Sequence, residues 1–170
     1  MQRGREAKDR ARAGADIAGG KPFKDAGAIV VAHQRAKEHL AKLKYPDAVV
    51  PDLGVGNRHV INLGGTRLEL HYVGRNHSNN SLVMFLPKEK IIFRVDFIPI
   101  ETVHFRNTLD GFIPEWNDSL KRVLALNWDR MIPGYPYAGG RLGTKQDVLG
   151  HGLLQLLGAR LLTLASAGRS

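Results

Sequence analysis

Apolar and polar positions alternate in several distinct rhythms along this chain. Ala28-Ile29-Val30-Val31-Ala32 is a short β-branched run that predicts a buried strand. Gln34 to Leu43 follows with helical spacing, placing Ala36, Leu40 and Leu43 on one face. Pro46 and Pro51 bracket a loop. His59 to Leu63 and Thr66 to Val73 alternate with period two around Gly64-Gly65, which predicts a hairpin. Ser81 to Leu86 and Ile91 to Val95 predict a second hairpin across Pro87-Lys88-Glu89-Lys90. Pro114-Glu115 opens a helix to about Leu126, with the proline where the first turn needs no amide. Trp128 to Ile132 predicts another short strand, ended by Pro133-Gly134. From Thr144 the pattern is helical, weakened by Gly150, Gly152 and Gly158. Strands first, then alternating helix and strand, predict an α/β chain with a mixed sheet and helices packed outside it.

The two ends break this logic. Met1 to Gly20 alternates charge with Ala and Gly, and holds no large apolar residue between Met1 and Ile17. Such a segment is a solvated helix or is disordered, and cannot anchor a core. Charge divides the chain in the same way. The 170 residues carry a formal charge of +9. Residues 1–44 hold 11 basic and 5 acidic side chains, residues 45–140 hold 10 of each, and residues 141–170 hold 4 basic and 1 acidic. A neutral centre therefore lies between two basic ends. Scattered arginines without interleaved aromatics argue against a nucleic-acid partner, and Trp116 and Trp128 read as core residues. The chain has no cysteine, which excludes disulfides, thiolate zinc sites and a thiol nucleophile. The first twenty residues show no apolar signal core, and His151, Gln155 and Arg160 interrupt the Leu-rich stretch from Val148 to Ala165. A soluble, cytoplasmic protein without a membrane span is the expectation.

Three segments after predicted strands carry reactive side chains. These are Gly74 to Ser81 after Val73, Asp96 after Ile91–Val95, and Pro133-Gly134-Tyr135 after the strand at Trp128. Polar residues at successive strand ends are how a mixed sheet usually builds a site. Each has an ordinary alternative: His77 can bond a turn backbone, Asp96 can cap the turn at Phe97, and Tyr135 can pack.

The ordered set of motifs resembles the metallo-β-lactamase superfamily. It comprises Leu63-Gly64-Gly65-Thr66-Arg67-Leu68-Glu69-Leu70, Gly74-x-Asn76-His77-Ser78-x-x-Ser81-Leu82, Leu86-Pro87-x-Glu89-Lys90, Asp96-Phe97-x-Pro99 and Pro133-Gly134. Gly139 to Val148 is similar to the segment after the last metal loop of β-lactamase-like hydrolases. The resemblance runs from about Gly19 to Val148. It implies an αββα sandwich whose sheet edges carry two zinc ions and a bridging water. Zinc lowers the pKa of that water to about 7 and polarises the scissile group.

Carried over residue by residue, the resemblance makes His77 and Asp96 metal ligands, with Asn76 and Ser78 on the substrate loop. The family's HxHxDH cluster precedes a Gly-Gly turn matched by Gly19-Gly20, yet residues 12–17 contain no histidine. Asp16 is either the family's aspartate, with a catalytic role, or stands in its last histidine's place. The final histidine position is Tyr135, a possible altered ligand. His71 and His104 are further candidates for completing the site. The expected product is a partial αββα sandwich matching the C-terminal portion of the fold. Its expected divisions are a flexible basic segment at 1–18, the metallo-β-lactamase-like domain at 19–148 and a Leu/Gly-rich tail at 149–170. Such a chain reads as truncated or frame-disrupted, with both ends outside the constraint that shapes the centre. Its implied function is hydrolysis of a small-molecule substrate by metal-activated water, weak or lost because the dinuclear zinc site is incomplete, with partial or no zinc occupancy. The alternatives are an active hydrolase completed by a partner chain or a second copy, and a non-enzymatic basic binding protein.

Overall fold

The computed structural model describes residues 18–43, 48–100, 112–135 and 140–150. The predicted segments at 1–17 and 151–170, with Asp16 and His104, lie outside the described residues. Chain contacts divide the protein into two compact units, Met1–Gly56 and Asn57–Ser170. Among the described residues no helix is long and apolar enough to cross a membrane.

The first unit opens with a 3-10 turn (Ala18–Gly20) and a short helix α1 (Lys21–Asp25), with Pro22 in its first turn. Strand β1 (Val31–His33) pairs in parallel with β2 (Leu53–Val55), and helix α2 (Gln34–Leu43) forms the crossover between them. The strand predicted at residues 28–32 therefore begins three residues later. Its limits are set by the partner strand: Asp52, next to β2, accepts the Val30 amide at 2.9 Å. Lys24 holds the same carboxylate at 2.8 Å. Leu40 is the fully buried residue of α2, as its helical spacing requires.

The second unit is a five-stranded mixed sheet in the order β3-β4-β5-β6-β7. It comprises β3 (Arg58–Leu63), β4 (Thr66–Tyr72), β5 (Leu82–Leu86), β6 (Ile91–Arg94) and β7 (Arg130–Pro133). Both predicted hairpins are present. Gly64 and Gly65 take φ of 56° and 79°, the left-handed pair that a two-residue hairpin turn requires. Helix α3 (Ile113–Ala125) has Pro114 in its first turn and precedes β7, which joins β6 in parallel. The mixed architecture expected from the pattern of elements is thus the one observed.

Alternation along the strands decides where the core sits. Phe85, Ile92 and Met131 are in register across β5, β6 and β7. With Val83 they pack against Trp116, Leu120 and Val123 of α3. Each large apolar side chain buried there contributes about 1.5–3 kcal/mol. Phe97, Ile98 and Ile100, just after β6, plug the same core. On the opposite side of the sheet, Met84, Phe93 and Ile132 are in register, and Met84 and Ile132 are each 40% exposed. Trp128 falls just before β7 rather than inside the predicted strand, because its indole N–H donates to the Val123 carbonyl at 2.7 Å and fixes it in the core.

Candidate functional site

Strand directions bring the candidate residues to one edge. β4 and β6 both run antiparallel to β5, and β7 runs parallel to β6. The C-terminal ends of β4, β6 and β7 therefore share one edge of the sheet. The loops carrying His77, Asp96 and Tyr135 leave from those ends. Arg94 and Pro133 are register partners, so Asp96 and Tyr135 each lie two residues beyond a paired position. Gly134 lets the ends of β6 and β7 approach closely. Its amide donates to the Arg94 carbonyl at 2.9 Å, and a Cβ there would meet Val95 at 2.7 Å. Asp96 has φ of 72°, a left-handed conformation that aspartate tolerates better than most side chains.

Helix α3 fixes the first loop through its carbonyls. Arg122 Nη1 donates to the Val73 carbonyl at 2.9 Å, and Ser119 Oγ to that of Arg75 at 2.8 Å. The Phe112 amide donates to the Asn76 carbonyl at 2.8 Å. Arg75 pairs with Glu115, and its guanidinium lies 4.7 Å from the Phe112 ring centre. Asn76 is fully buried; its side chain donates to the Gly74 carbonyl at 3.2 Å and accepts the Ser78 amide at 3.3 Å. Ser78 Oγ lies 2.6 Å from Ser81 Oγ. The side chains of Asn76 and Ser78 thus serve the loop's own conformation.

Trp116 joins two of the loops. Its ring meets the His77 imidazole edge-on, with centroids 6.1 Å apart. Its indole N–H donates to the Phe97 carbonyl at 2.9 Å, next to Asp96. The sequence places Trp116 in the core, where it is fully buried, but gives its bridging role only one indirect signal. Ser119 shares the apolar stripe of Trp116, Leu120 and Val123, and a hydroxyl on a buried face needs a partner. Tyr135 is 65% exposed at the end of β7. His71 lies on β4, with Nε2 at 2.9 Å from Glu69 Oε2, and is part of a separate ion cluster.

Beneath the Asp96 turn stands a charge that strand alternation could have revealed. Arg94 shares the parity of Ile92 and is 2% exposed. Its Nε donates to Met131 Sδ at 3.3 Å, and its Nη2 is buried with no hydrogen-bond partner. Burial pushes its pKa down to about 10 against the raising effects of Asp96 and Asp147, so it remains a cation at neutral pH. Asp147 is itself held by Arg141 at 2.6 Å and by the Thr144 amide at 2.7 Å. The Arg141 bonds lower the Asp147 pKa to about 2; burial opposes them, and the Thr144 bonds assist.

A zinc ion needs about three protein ligands besides its water. Among the described residues no three His, Cys, Asp or Glu side chains stand together as such a set. The buried guanidinium of Arg94, two residues before Asp96, adds a charge of the wrong sign. The described residues do not fit the two-zinc arrangement that the sequence resemblance implies.

No family model matches the chain. It is 27% identical over 109 residues to the α subunit of a 2,4-dinitroanisole O-demethylase from Nocardioides sp. (strain JS1661), covering 62% of this chain and 32% of that protein. It is 29% identical over 131 residues to a metallo-β-lactamase type 2 from Bacillus cereus, covering 74% of this chain and 49% of that one. The chain thus spans from about a third to half the length of these curated relatives. The metallo-β-lactamase from Pontibacter korlensis superposes with a TM-score of 0.66 at 20% identity, covering 81% of this chain and 61% of the other. Over the part it spans, the chain has the metallo-β-lactamase fold and is a partial match to that superfamily.

Proposed function

We propose that this chain is a metallo-β-lactamase-fold hydrolase relative whose dinuclear zinc site is incomplete, so that hydrolysis by metal-activated water is weak or lost. The observation that carries this reading is the shared sheet edge. Loops from β4, β6 and β7 bring His77, Asp96 and Tyr135 to one end of the sheet. Yet among the described residues no metal-holding set of three is present. Two ligands leave a zinc ion largely to solvent. A tyrosine hydroxyl with an ordinary pKa near 10 adds little at neutral pH without further positive charge.

The relatives' names point to different chemistries, a β-lactamase and an O-demethylase subunit. Fold alone does not choose among substrates, so the substrate is assigned only as a small molecule. Zinc content after purification without added metal tests the reading. Well under one zinc per chain, readily removed by a chelator, is the expected result. Tightly held, near-stoichiometric zinc would overturn it.

A further inference from the structure

Two guanidinium groups and two carboxylates lie on neighbouring segments: Arg94 and Asp96 at the end of β6, and Arg141 and Asp147 around Gly143, which bridges to Met131 of β7. Arg141 and Asp147 are hydrogen-bonded to each other. Arg94 and Asp96 are two residues apart at the end of β6, and Asp96 and Asp147 both act electrostatically on Arg94. A buried cation thus stands in the strand two residues before Asp96, the candidate ligand on this strand end. Arg94 cannot move readily to make way for an ion. It is 2% exposed, and its backbone is paired with Pro133 and accepts the Gly134 amide at 2.9 Å. Inside a protein, repulsion between like charges is weakly screened.

We propose that Arg94 is a resident cation that excludes divalent metal from the Asp96 side of the site. The inference rests on the reading of an incomplete zinc centre and names what maintains it. The hydrogen bonding of Arg94 supports a role for its charge rather than for its bonds. Its Nε bond goes to a thioether, a weak acceptor, and its Nη2 bonds to nothing. An uncharged side chain of similar length would forfeit little bonding and leave Asp96 available to a cation.

Titrating the full chain with Zn²⁺ by equilibrium dialysis, and with Co²⁺ by its visible absorption, tests this in wild type, Arg94→Met and Arg94→Lys. Arg94→Met is expected to bind zinc about tenfold or more tightly than wild type, the scale of one removed neighbouring charge. Arg94→Lys, which keeps the charge, is expected to stay near wild type. Equal zinc affinity in wild type and folded Arg94→Met overturns the proposal, as does an equal gain in Arg94→Lys. If Arg94→Met does not fold, Arg94→Gln carries the same expectation. Failure of both to fold overturns the proposal, because it would make Arg94 a requirement of the fold. A zinc-poor wild type with no gain in the neutral variants defeats this inference while leaving the incomplete-centre reading intact. Tight zinc in wild type defeats both.

Discussion

Glu69 and Arg94 are buried charges on the same side of one sheet, and their surroundings differ sharply. Glu69 is 6% exposed and accepts bonds from Arg58 at 2.9 Å, Arg67 at 2.9 Å and His71 at 2.9 Å. Its burial raises the pKa, but the bonds from Arg58, Arg67 and His71 outweigh that and lower it to about 2. Arg94 is 2% exposed, with a thioether acceptor on one nitrogen and no acceptor on another. A well-partnered buried ion is retained because the fold uses its bonds. A poorly partnered one costs stability, so its role belongs to the site beside it.

The largest effect that could break this comparison is the stability change on neutralising Arg94. Arg94→Met is expected to raise the free energy of unfolding by about 1–3 kcal/mol, the desolvation cost of a buried polar group left without a good partner. Urea unfolding reads it directly, and a marked loss of stability would place Arg94 with Glu69 among the structural ions. Glu69→Gln is expected to act in the opposite direction, lowering stability by about 1–3 kcal/mol at neutral pH through its charge-assisted bonds. The pH dependence sharpens the point. The folded-state pKa of Glu69 lies near 2, below its ordinary 4.5. Its stabilising contribution is therefore complete above pH 4.5 and lost as pH falls towards 2. Thermal melts across that window should show a shallower acid slope in Glu69→Gln than in wild type. The slope should not vanish, since Asp147 is lowered in the same direction. The smallest effect is expected from Arg67→Ala, less than about 1 kcal/mol by the same melts. Arg67 is half-exposed, and Arg58 and His71 still hold the carboxylate without it.

Much of the second unit was legible in the sequence because local chemistry determines it. Gly64-Gly65 sets a hairpin, Pro114 opens a helix, and alternation through Ser81–Val95 gives two strands. β2 was not legible: three residues with Gly54 at their centre and Gly56 after them are too few to show a period, and their pairing with β1 is non-local. The same partner explains why β1 starts at Val31 rather than Ala28. For the site, the placement of His77, Asp96 and Tyr135 after successive strands was readable, whereas the shared edge required strand directions. Arg94 was readable in principle, as an arginine at the buried parity of Ile92. The apolar character of Ile91–Val95 masks it unless each residue is assigned a face.

Trp116 lies far downstream of both loops that it joins, and this gives the site an order of assembly. On an elongating chain, the β4–β5 and β5–β6 hairpins can form from residues already made. The indole that meets His77 and holds the Phe97 carbonyl does not yet exist. The spacing between His77 and the Asp96 turn is therefore set late, when α3 docks and its side chains reach back to the carbonyls of Val73 and Arg75. A chain halted before that helix could make the strands and still lack the geometry of the site.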